Sequence, residues 1–68
     1  MDALTCFITD DRHPVQMLSL LVGADEKSAL AMALDELQAH AHYRAIETWD
    51  GERRLFLVTR DDLVAPHG

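Results

Sequence analysis

The sequence predicts an α+β domain: a two-layer ββαββ arrangement with a four-stranded, mostly antiparallel sheet and one helix on one face. Three features predict it. Two stretches near the N-terminus have strand composition, the middle of the chain repeats with helical period, and Asp50-Gly51 sits between two further strand-like stretches. A chain of 68 residues makes one domain and leaves little room for a deep pocket. Positions 1–60 are expected to form that domain and 61–68, ending Ala-Pro-His-Gly, a flexible C-terminal tail.

Positions 4–9 alternate Leu4, Cys6 and Ile8 with Thr5, Phe7 and Thr9, the period of a strand. The polar run 10–14 closes on Pro14, whose missing N–H suits a loop. A second strand follows from Val15 to about Val22. A five-residue loop would pair Thr9 with Val15, Phe7 with Met17 and Cys6 with Leu18, an antiparallel hairpin whose core face holds Leu4, Cys6, Ile8, Leu18 and Leu20.

Gly23 ends the strand, and Asp25 can cap a helix with Glu26 in its first turn, where negative charge suits the helix dipole. The helix is expected to reach about Ala41, with Leu30, Ala33, Leu34, Leu37 and Ala41 on its core stripe and Met32 on its outer side. Alanines at 29, 31 and 33 favour helix and a close approach to the sheet. Positions 43–49 and 52–60 then flank Asp50-Gly51, the signature of a type I′ turn. That turn pairs Trp49 with Glu52, Glu47 with Arg54 and Ala45 with Phe56, and it puts Ile46, Leu55 and Leu57 in the core. A helix of about 17 residues makes the second and third strands parallel, through a right-handed crossover.

One helix covers one face of such a sheet. On the other face these registers place Phe7, Val15, Met17 and Leu21 with Thr5 and Ser19, and then Tyr43, Trp49, Phe56 and Val58 with the pair Glu47 and Arg54. A solvated face would alternate to charge, whereas this one gathers all four aromatic residues, so it is expected to bind something. Two alternatives remain open: the tail folds back over the face, or the register is one residue off and these side chains form the core.

Twelve Asp and Glu against six Lys and Arg give a net charge of −6, which disfavours direct nucleic-acid binding and favours a partner with a basic surface. Cys6 is the one cysteine, so no internal disulfide can form and a reduced, cytoplasmic setting is expected. The start of the chain shows no targeting pattern and no apolar run reaches the length of a membrane span, so no membrane association is expected.

His13, His40 and His42 are metal-ligand types, but His40 and His42 stand two apart, a spacing that diverges on a helix, so neither metal nor cofactor is expected. Cys6 falls on a core face, where cysteine behaves as a small hydrophobe rather than a nucleophile. The carboxylate pairs Asp10-Asp11 and Asp61-Asp62 read as solvated polar runs. No glycine-rich phosphate loop, G-x-S-x-G or H-E-x-x-H occurs, and the chain is not expected to be an enzyme.

The run from Ala45 to Leu55, AIETWDGERRL, after an alanine-rich helix and an N-terminal hairpin, resembles short uncharacterised proteobacterial proteins with a "VEVWxGxRR"-like hairpin. Thr48 stands where that pattern prefers valine. Those proteins have no established activity, so the likeness carries over no site residues. In size, charge and layout the chain also resembles small phage-encoded anti-CRISPR inhibitors, which block a bacterial nuclease complex by contact. That resemblance implies stoichiometric inhibition by an acidic surface in a basic nucleic-acid channel. The expectation is therefore a non-enzymatic protein acting by protein-protein contact, through Phe7, Met17, Tyr43, Trp49 and Phe56 or through Asp10, Asp11, Asp50 and Glu52. The alternative is a homodimeric accessory protein holding a small ligand.

Overall fold

The computed structural model describes residues 3–63 and has the expected α+β class, with one four-stranded sheet and a single α-helix. In chain order the elements are β1 (Ala3–Asp10), β2 (Met17–Val22), α1 (Glu26–Ala39), β3 (Tyr43–Asp50) and β4 (Arg53–Thr59), followed by a 3-10 turn at Arg60–Asp62. The sheet order is β2-β1-β3-β4, and every neighbouring pair is antiparallel. Hence β2 and β3 run the same way, as the helical connection requires, with β1 between them.

The strict alternation of β1 is what seats it centrally: Leu4, Cys6 and Ile8 are buried against the helix layer while Thr5, Phe7 and Thr9 turn to the opposite face. The Asp25 carboxylate accepts the Ser28 N–H at 2.7 Å, which caps α1 and holds that carboxyl below its ordinary pKa. The helix closes at Ala39, and the His40 N–H reaches the Glu36 carbonyl from extended backbone. Its buried positions are Ala29, Ala33 and Leu37, a stripe turned by about 55° from the expected one. Consequently Leu30 is more exposed than expected and Ala41 lies beyond the helix, while Met32 is exposed as expected and also borders a narrow cleft of about 50 Å³ with Ser19 and Leu21. The core joins Cys6, Ile8, Ala33, Leu37, Ile46 and Val58, with Met17, Leu21, Leu34, Tyr43, Phe56 and Leu63 packed around them.

Both hairpin registers differ from expectation by a small slip with large consequences. In the first, residues 11–16 form a six-residue connection, so Phe7 faces Leu18 and Cys6 faces Ser19. A one-residue slip exchanges the two faces of a strand. Met17 and Leu21 therefore belong to the core side, Leu18 and Leu20 to the open face, and Val15 to the connection. In the second, Asp50 pairs with Arg53, so the turn residues are Gly51 and Glu52. Only Gly51 has positive φ, at +61°, the sign pattern of a type II′ turn rather than the expected I′. Trp49 then faces Arg54 and Thr48 faces Phe56, so Leu55 is an extra, bulged residue. The bulge carries Phe56 and Val58 to the core side and Leu57 to the open face.

The C-terminal segment is partly built into the fold. Asp62 accepts the Thr59 N–H at 2.7 Å and Leu63 packs on the core, while residues 64–68 of the expected tail lie outside the described residues. Among the described residues no helix is long and apolar enough to cross a membrane.

Candidate interaction surface

A helix is about 10 Å across and four strands span roughly 19 Å, so one helix covers about half of the sheet even on its own side. Here α1 lies over β3 and β4. The far face of the sheet has no covering element among the described residues, and β2 is thinly covered on the helix side as well.

The registers define the open face row by row. Leu20, Thr5, Trp49 and Arg54 form one row, and Leu18, Phe7, Glu47 and Leu57 form the next. Along the β2 edge, Leu18, Leu20 and Val22 expose 63%, 59% and 65% of their surface, and Leu57 on the opposite edge exposes 48%. Among the described residues this face is uncovered and apolar, with a membership partly different from the expected one. Phe7 and Trp49 lie on it, whereas Met17 and Phe56 face the helix layer, and Tyr43 packs at the core margin with its ring stacked 4.4 Å from His40. Its charged pair, Arg54 and Glu47, closes on itself at 3.2 Å, so the face is apolar and locally neutral.

Between these rows lies a shallow hollow of about 410 Å³ lined by Thr5, Phe7, Gln16, Glu47, Trp49 and Gly51. The Trp49 indole Nε1 is buried without a hydrogen-bond partner among the described residues. An unsatisfied buried donor costs about 1–3 kcal/mol.

The acidic candidates divide by location. Asp50 and Glu52 stand exposed beside Gly51, which lines that hollow, but Asp50 itself lines a different one with Leu4, Gly23, Asp25 and Glu26 at the start of α1. Asp10 does not belong to a solvated run: it closes β1, is 2% exposed, and accepts the Arg12 backbone N–H at 2.8 Å, Arg12 Nε at 3.2 Å and Nη2 at 2.9 Å. The Arg12 side-chain bonds and then its backbone bond pull the Asp10 carboxyl down to about 2. Asp11 is bound by Arg44, whose bond lowers its pKa in the same direction. Arg44 reaches it because a bulge between β1 and β3 displaces that residue from the ladder. The structure therefore separates Asp10, Asp11 and Asp50 from the aromatic face and leaves Glu52 exposed in the turn next to it.

Cys6 is buried, and its Sγ lies 3.4 Å from the Thr48 hydroxyl. His40 Nε2 lies 3.2 Å from Glu36 one turn back on the helix. No three His, Cys, Asp or Glu side chains converge as a metal site among the described residues. Comparison with protein-family models, with curated proteins and with solved structures finds no match to this chain.

Sequence reasoning missed three surface residues, Leu18, Leu20 and Val22, and one structural residue, Arg60. A signal for the first three existed: MLSLLV is apolar at consecutive positions, the pattern of a strand that has apolar neighbours on both faces.

Proposed function

We propose that this chain is a non-catalytic binding domain that acts by protein-protein contact through the uncovered face of its sheet. The observation that carries this reading is the set Leu18, Leu20, Val22, Phe7, Trp49 and Leu57 on one face without a covering element among the described residues. Contiguous apolar surface of this kind marks interaction sites, and a tryptophan in a hollow is a typical anchor. The exposed Glu52, in the turn beside Gly51, and the net charge of −6 suit a partner whose apolar contact is bordered by basic groups, and they would steer the approach. A bacterial nucleic-acid-binding nuclease complex, whose channel must be basic, fits that description, so stoichiometric inhibition is the form of contact proposed.

The hollow around Trp49 supports a second reading, an accessory protein holding a small ligand with a hydrogen-bond acceptor for the indole. One panel of variants addresses both. Tagged chains carrying Trp49→Ala or Leu57→Lys should lose proteins that the parent captures from cells, while Asp35→Lys, on the exposed side of α1, should retain them. Capture unaffected by Trp49→Ala and Leu57→Lys would sink the contact proposal. Native mass spectrometry showing a small molecule carried by the parent and absent from Trp49→Ala would favour the second reading.

A further inference from the structure

We infer that β2 is a self-pairing edge: two copies of this chain join antiparallel along Met17–Val22, centred on Ser19, into one eight-stranded sheet. The pairing runs through the backbone edge of β2, which shares Leu18, Leu20 and Val22 with the open face, and the rest of that face stays available to a foreign partner.

The two edges of the sheet are treated differently by the sequence. An edge strand presents unpaired N–H and C=O groups, and proteins discourage pairing there with charge, proline or a bulge. The β4 edge has such protection, with Arg53 and Arg54 exposed and a bulge at Leu55. The β2 edge has none: Met-Leu-Ser-Leu-Leu-Val contains no charge, no proline and no bulge against β1. It is also apolar toward both layers, with Leu18, Leu20 and Val22 on the open face and Met17 and Leu21 on the helix side. Apolar residues on both faces are the mark of an interior strand. This one lies at the rim.

A second copy supplies the missing neighbour symmetrically. A two-fold axis through Ser19, perpendicular to the sheet, makes the contact isologous. It sets Leu18 against Leu20 of the partner subunit on one face and Met17 against Leu21 of the partner subunit on the other. Within 17–21 every cross-strand pair in that register is apolar except serine on serine, and Val22 falls opposite Gln16 of the partner subunit. None of the twelve acidic residues lies on β2, so the net −6 of each copy acts only at longer range. The axis places both helices on one side, leaving a trough over the paired β2 strands floored by Met17, Ser19 and Leu21 of each copy and walled by Met32. On the other side, the two open faces merge into a single apolar surface twice as wide.

Sedimentation equilibrium of the full chain, from about 1 µM to about 500 µM, combined with amide hydrogen exchange, tests this. The expected result is a monomer–dimer equilibrium that tightens as salt rises from about 0.01 M to about 0.15 M, because like net charges are screened. In the dimer all six β2 amides are protected. In Leu20→Lys, which places a charge on the edge at an exposed position, the chain is monomeric and alternate β2 amides exchange at least about tenfold faster. Val22→Lys repeats the experiment should Leu20→Lys fail to fold. Leu57→Lys, on the same face but the opposite edge, keeps the dimer. A monomer throughout the range would overturn the inference. So would a dimer lost in Leu57→Lys, or one whose alternate β2 amides exchange as fast as in Leu20→Lys, since that would be a dimer through the open faces. A β2 edge protected only when a peptide of unrelated sequence is added would equally exclude self-pairing.

Discussion

Asp10 shows how one side chain can organise a loop that composition alone describes as polar. Its carboxylate receives three hydrogen bonds from Arg12 and so fixes the first bend of the connection between β1 and β2. The folded chain holds the Asp10 proton less tightly than the unfolded chain does, about 2 against 3.8. Its contribution to stability is therefore complete above about pH 4 and lost as pH falls toward 2. Thermal midpoints measured from pH 6 to pH 2 should show Asp10→Asn less stable than the parent at neutral pH, with the gap closing below about pH 4. Parallel curves would remove Asp10 from that role. At Gly51 the φ of +61° is a conformation that side chains resist, although nothing lies within 4 Å of an added Cβ. Gly51→Ala should cost about 1 kcal/mol by denaturant titration, from backbone strain alone.

At the scale of elements, the helix depends on residues outside itself. The last turn of α1 contains no basic side chain. That charge arrives from beyond β4: Arg60 Nη1 donates to the Leu37 carbonyl at 2.8 Å, to Tyr43 at 3.0 Å and to His40 at 3.3 Å. The Leu37 carbonyl is one of the acceptors that a helix end leaves without intrahelical partners, the other two tie the helix end to the start of β3, and a cation there also opposes the dipole. Arg60→Ala should destabilise by about 1–3 kcal/mol and Arg60→Lys by less, read from urea midpoints. Leu37, with no exposed surface, packs where helix and sheet meet. Leu37→Ala should cost about 2–5 kcal/mol, which a domain of this size cannot lose and remain folded at room temperature. A cooperative transition in Leu37→Ala close to that of the parent would show that the core lies elsewhere.

For the whole molecule, the class, the chain order of the helix and four strands, the faces of β1 and those of β3 from Ile46 to Trp49 were legible because each rests on period and capping chemistry, whereas the bulge opposite Asp10 turned Tyr43 to the core margin. Alternation in β1 placed Cys6 and Phe7 correctly, and Asp25 marked the helix start. The outer strands were not legible, since their faces depend on the register of a hairpin rather than on their own pattern. In the first, a connection one residue longer than assumed exchanged Met17 for Leu18. In the second, a shifted turn and the Leu55 bulge brought Phe56 and Val58 inward. A bulge leaves no mark in composition, and Arg60 acts across 17 to 23 residues, beyond any local pattern. The inference of an uncovered apolar face survived these exchanges because both faces of β2 are apolar. Either register would have left one of them bare.

The thin cover over β2 also divides the molecule into parts of unequal permanence. Only Met17 and Leu21 tie this strand to the core, through a helix that leans toward the other side of the sheet. Thin side-chain cover makes β2 the strand expected to open first, at the cost of its six-pair ladder to β1, so the cheapest opening is expected to be local rather than global. Such an opening would lay bare the flank of β1, a central strand with Phe7 on one face and Ile8 on the other. The lifetime of that brief event, more than the overall free energy of folding, would decide how this chain resists proteolysis and misassembly.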